Sequence, residues 1–145
     1  MTTYLKTTTR QISIVAILLF PLLLMGNLAN ANCMNVVKQI RGNYEVMQSD
    51  GGIWRFMEKS SRLRSDSMLG LQIDGKLQRG VTFLEDQCMA GKPLSQNILD
   101  DLQLQMDKAR SLNNRSVSRT PAKKLLKMIK EINDALTVFM EKNNI

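Results

Sequence analysis

Apolar side chains recur at steps of three and four along most of this chain, and strand-like alternation never persists for more than a few residues. That period gathers them on one face of an α-helix. Cys33, Val37, Ile40, Tyr44 and Met47 share the face of a first helix, which Ser49-Asp50-Gly51-Gly52 breaks. Glycine in a helix interior costs about 1 kcal/mol, so the pair is a strong interruption. Ile53, Trp54, Phe56, Met57 and Leu63 predict a second helix that fades toward Met68-Leu69-Gly70. Asp74 is placed to cap a third, with Leu77, Val81, Leu84 and Cys88 as its stripe.

Gly91 is placed to end that helix, and Pro93 keeps it from continuing. Ser95 is a cap for the fourth helix, flanked by Leu94 and Leu99 at the positions of a hydrophobic staple. Ile98, Leu102, Met106 and Ala109 then face inward together. The polar run Asn113-Asn114-Arg115-Ser116-Val117-Ser118-Arg119 reads as a loop, and Thr120-Pro121 opens the last helix. In that helix Leu125, Ile129, Ile132, Leu136 and Phe139 form the most regular stripe of the chain. It serves to pack against a bundle or to form a short seam between chains, and is too short for a long coiled coil. Short connections favour antiparallel neighbours, so the pattern predicts an all-α fold: an antiparallel helical bundle of four to five helices in one domain, residues 32–145.

The first residues have a different grammar. Lys6 and Arg10 precede an apolar run from Ile12 to Met25, followed by Gly26-Asn27-Leu28-Ala29-Asn30-Ala31. This is the order of a secretory signal peptide, with cleavage expected after Ala31 and residues 1–31 removed. The run is shorter than the roughly 20 residues a spanning helix needs, and Pro21 interrupts it. The reading predicts a periplasmic or secreted protein.

Export changes the meaning of the two cysteines, Cys33 and Cys88. In an oxidising compartment they are candidates for a disulfide. Strict up-and-down alternation of five helices would put them at opposite ends of rods about 25 Å long. Bridged Cα atoms lie about 5.5 Å apart. A bridge within one chain therefore requires the first helix to cross the others, or the Gly51-Gly52 break to be nearly straight. Otherwise the thiols pair between chains, in a homo-oligomer.

The chain carries a formal charge of +7 and no histidine. Lacking histidine, it lacks the commonest general base and the leading transition-metal ligand. Two separated cysteines cannot make a four-ligand zinc site. Asp100-Asp101 and Glu85-Asp86 are adjacent in helices, where side chains diverge by about 100°, so they read as solvated faces. No phosphate-loop pattern occurs. The reading is of a protein that is not an enzyme and whose residues call for no cofactor and no metal.

Between Lys108 and Lys130 every charged residue is cationic. Lys108, Arg110, Arg115, Arg119, Lys123, Lys124, Lys127 and Lys130 occur there with no acid after Asp107. If the polar loop turns back, these cations gather at one end of the bundle. An exported protein meets lipid headgroups or acidic proteins before it meets nucleic acid. The expected partner is therefore an anionic membrane surface or an acidic protein, held by Arg110, Arg115, Arg119, Lys123, Lys124, Lys127 and Lys130. Methionine is the other excess, at Met34, Met47, Met57, Met68, Met89, Met106, Met128 and Met140 beyond the leader. Flexible thioethers fill helical cores, or suit an adaptable surface or a soft metal.

The stretch Met34-Asn35-Val36-Val37-Lys38-Gln39-Ile40-Arg41-Gly42-Asn43-Tyr44 resembles the start of the soluble periplasmic b-type cytochromes, and Phe83 to Arg115 is loosely similar to that family's last helical hairpin. The resemblance implies a four-helix bundle behind a signal peptide, with Met34 as a haem ligand. The family's second ligand, a histidine, is absent, since the comparable stretch reads Asn113-Asn114-Arg115. The composition is also similar to that of small periplasmic stress chaperones, although Leu94-Ser95-Gln96-Asn97-Ile98 stands where their Leu-Thr-x-x-Gln motif would be sought. The leading expectation is a small exported bundle that works by binding. A haem carrier and a chaperone-like protein are the alternatives.

Overall fold

Leu125, Ile129, Ile132, Leu136 and Phe139 are all buried, so the most regular stripe in the chain is spent inside the molecule rather than on a seam between copies. They join Leu77, Val81, Leu84 and Cys88 and the inward face Leu102, Met106 and Ala109 in one hydrophobic core. The computed structural model describes residues 32–112 and 119–145. The expected leader (residues 1–31) and Arg115 lie outside the described residues.

The architecture is all-helical. Helix α1 covers residues 32–49, and α2 covers Gly52–Lys59. A 3₁₀ turn at Arg64–Asp66 leads into α3, Ser67–Met89. Helices α4, Gln96–Ser111, and α5, Ala122–Asn143, complete it. Several ends are closed by the local signals in the sequence. The Lys92 N–H donates to the Gln87 carbonyl and the Gly91 N–H to the Cys88 carbonyl, with Gly91 at φ 68°, which is the Schellman closure. The Ser95 hydroxyl accepts from the Ile98 N–H at 3.4 Å.

The topology of the first two helices is resolved by three contacts. Cys33 and Cys88 are at bonding distance within one chain, with Cα atoms 5.8 Å apart. Arg41 makes a bidentate ion pair with Glu85. The Ile53 N–H donates to Asp74 Oδ1 at 3.0 Å. As the chain advances from Cys33 through Arg41 to Ile53, its partners retreat along α3. Both α1 and α2 therefore run antiparallel to α3 and lie along it end to end. The Gly51-Gly52 break is nearly straight, and α1 with α2 counts as one rod. Gly51 and Gly52 both take left-handed backbone, at φ 88° and 65°, which is what lets the chain restart a helix without turning back.

Helices α3 and α5 run the same way. Arg62, ahead of α3, donates to the carbonyl of Thr120, ahead of α5, at 3.4 Å. Further along, Lys76 Nζ donates to Asn133 Oδ1 at 2.7 Å and to Thr137 Oγ1 at 2.6 Å. Burial lowers the Lys76 ammonium from its usual lysine value and nearby Arg79 adds to this; Asp134 and Glu141 act in the opposite direction. Helix α4 runs between them in the other sense, packing on α5. Asn43 Nδ2 on α1 reaches Gln103 Oε1 on α4 at 3.4 Å.

Two expectations are corrected. The third helix begins at Ser67, not at Asp74, and Met68-Leu69-Gly70 belongs to it. Gly70 is buried, and a β-carbon there would lie 2.7 Å from the Trp54 Cα. The glycine marks the closest approach of two helix backbones, not the fading of one helix. Asp74 does not cap its own helix. It lies inside α3, is 8% exposed, and accepts from the N–H groups of Ile53 and Trp54 at 3.0 Å each.

Candidate anion-binding end of the bundle

Helix α2 and α4 both finish, and α3 and α5 both start, at the same end of the bundle. This follows from the antiparallel pairing described above. The end is stitched by Arg62 to Thr120, and by Arg64 Nε donating to the Glu58 carbonyl at 3.0 Å.

The sequence-predicted cations that are among the described residues fall on this end. Lys108 and Arg110 are exposed on the last turns of α4, and Arg119 is exposed just before α5. Lys123, Lys124, Lys127 and Lys130 are exposed on the first half of α5. Lys127 approaches Glu131 at 3.8 Å across one helical turn. Both side chains are well exposed, so that pair holds little energy and leaves the lysine accessible.

Other cations reach the same end from elsewhere in the sequence. Arg55 and Lys59 are exposed on α2, and Arg62 and Arg64 on the turn after it. The run from Arg55 to Arg64 contains only one acid, Glu58, which was a usable signal. It stayed silent because nothing local says that this stretch meets the start of α5. Against these cations stand Glu58, Asp66, Asp107, Glu131 and the buried Asp74, with Asp50 beside Arg55 and Lys59. Most of the other described acids, including Glu45, Glu85, Asp86, Asp100, Asp101 and Glu141, lie toward the opposite end. The bundle is thus charge-polarised along its axis, with a field that favours anions at one end.

The polar node at Asp74 is structural in character. Burial pushes its carboxyl above the usual aspartate range, while the amide bonds from Trp54 and Ile53 and the side chain of Gln48 pull it part of the way back. Tyr44 is raised first by burial and then by the Asp74 charge. Asp74 supplies the side-chain acceptor that Gly51, at the N-cap of α2, cannot.

A cleft of about 540 Å³ lies between the α1–α2 break and the end of α4. Val46, Met47, Ile53, Phe56 and Leu112 give it an apolar lining, with Asp50, Asp107 and Arg110 also lining it. Among the described residues no three His, Cys, Asp or Glu side chains converge as metal ligands would. Met34 is half-buried and packs against the core beside Cys33. Of the other methionines after residue 31, Met57, Met106 and Met140 are buried, while Met68 and Met89 are exposed. No described helix is long and apolar enough to cross a membrane. Comparison with protein-family models, curated proteins and solved structures gives no match for this chain.

Proposed function

We propose that this is a small exported protein that acts by binding rather than catalysis, and that it engages an anionic partner through the basic end of its bundle. The observation that carries the reading is the meeting of exposed cations from α2, the turn after it, α4 and α5 on one end of a charge-polarised molecule. Such a surface attracts phosphate- or carboxylate-rich partners, each basic residue near an anionic membrane contributing about 1 kcal/mol. The Cys33–Cys88 pair at bonding distance supports an oxidising destination, in keeping with the leader-like first residues.

Lys123→Gln, Lys124→Gln and Lys127→Gln together test the reading. The triple variant is expected to lose salt-sensitive binding to anionic vesicles and to an acidic polypeptide column. Undiminished binding to both would reject the basic end as the site.

A further inference from the structure

We propose that the basic end docks on an anionic lipid bilayer, with Met68 and Leu71 entering the acyl boundary while the surrounding cations meet headgroup phosphates. This rests on the anion-binding reading above and names its partner. Met68 and Leu71 are 63% and 49% exposed, and their spacing of three puts them on one face of the first turns of α3. Of the other exposed large apolar residues, Val46 lines the cleft beside Arg110, whereas Met89, at the last residue of α3, and Val138, in the second half of α5, lie toward the opposite end. Isolated exposed apolar side chains are ordinary on a protein surface. A pair one turn apart at the centre of a cationic end is a different feature.

The flanks of that pair follow from the packing. On one side α2 closes on α3, with the Trp54 backbone against Gly70, which brings Lys59 and the adjoining Arg64 alongside. On the other side α5 is tied to α3 by Asn133 and Thr137 through Lys76. Lys123 and Lys130 repeat at heptad spacing on the face of α5 that carries Thr137, and both are exposed. Two apolar side chains are thus bracketed by cations from both neighbouring helices. Glu58 and Asp66 are the nearest acids, and Asp66 already accepts from Ser65 Oγ at 3.0 Å. An acidic protein would match the cations and leave Met68 and Leu71 without an apolar counterpart. An anionic bilayer offers both in one plane, and lysine stems can lie along the apolar layer with their ammonium groups in the headgroups.

The test uses the protein with its leader removed, verified by mass, and flotation with phosphatidylglycerol-containing vesicles. Met68→Ser with Leu71→Ser is expected to weaken binding about tenfold or more, and to make the remainder fully reversible by salt. Met89→Ser with Val138→Ser, also well exposed but toward the opposite end, is expected to bind as the parent does. Circular dichroism checks that each variant keeps its helices. If the Met68/Leu71 variant binds like the parent, or the distant pair loses as much, the docking mode is overturned. Parent protein that ignores these vesicles yet is retained, salt-sensitively, by polyaspartate overturns the bilayer and leaves the anion-binding reading standing. Failure to bind either probe overturns both.

Discussion

Asp74, inside helix α3, caps helix α2: its carboxylate accepts from the backbone N–H of Ile53, 21 residues earlier in the chain, and from that of Trp54. These are the second and third residues of α2, the positions an N-cap side chain normally serves. The N-cap itself is Gly51, which has no side chain to offer. A β-carbon on Gly52 would lie 2.5 Å from Asp74 Oδ2, so the glycine and the aspartate form one device. The carboxylate charge also complements the positive end of the helix.

Replacing Asp74 with Ala leaves those donors without their partner in a largely buried place. An unsatisfied buried donor costs about 1–3 kcal/mol, so Asp74→Ala is expected to lose about 3 kcal/mol in denaturant unfolding. Amide exchange should accelerate first in α2. Protection lost evenly over all helices would argue against a capping role.

The same carboxyl makes a pH prediction. Its folded value is raised by burial, so between the ordinary aspartate value and the raised one the folded chain holds more proton than the unfolded chain. Stability from this site therefore falls as pH rises through that window, and is greatest below it. Asp74→Asn removes the titration and keeps the shape. The stability difference between parent and Asp74→Asn should grow in favour of the parent as the solution is acidified into the aspartate range. A difference moving the other way would contradict the assignment.

Gly70 and Gly75 sit in the same helix with opposite surroundings. A β-carbon at Gly70 meets the Trp54 backbone at 2.7 Å, whereas one at Gly75 meets nothing within 4 Å. Gly75→Ala should stabilise by up to about 1 kcal/mol through helix propensity. Gly70→Ala should destabilise by about 2 kcal/mol, because backbone cannot rotate away and α2 must separate from α3. Equal effects in thermal melts would mean that the helices do not approach as described.

Breaking the Cys33–Cys88 bridge frees a loop of 55 residues of sequence separation. In the chain-entropy model that costs about 4 kcal/mol. Cys33→Ser with Cys88→Ser is expected to lower the melting temperature markedly. On non-reducing gels the parent should migrate as a monomer that slows on reduction; a disulfide-linked dimer would show the thiols pairing between chains.

Features settled within one or two helical turns were legible in the string of residues. The stripes ending in Leu136 and Phe139, the Gly91 closure and the Ser95 cap all depend on residues three to five apart, so their partners are visible in the string. The cations from Lys108 to Lys130 were legible too, being consecutive. Tertiary structure alone decided matters whose partners are distant. Asp74 looked like a cap for the helix that follows it, because local rules offer no other use for it. Gly70 looked like a helix fading, because the Trp54 backbone that requires it belongs to another element. The contribution of Arg55 to Arg64 to the basic end waited on the same fact, the end-to-end course of α1 and α2 along α3. A repeat reports which face turns inward; it carries no record of which surface will be waiting there.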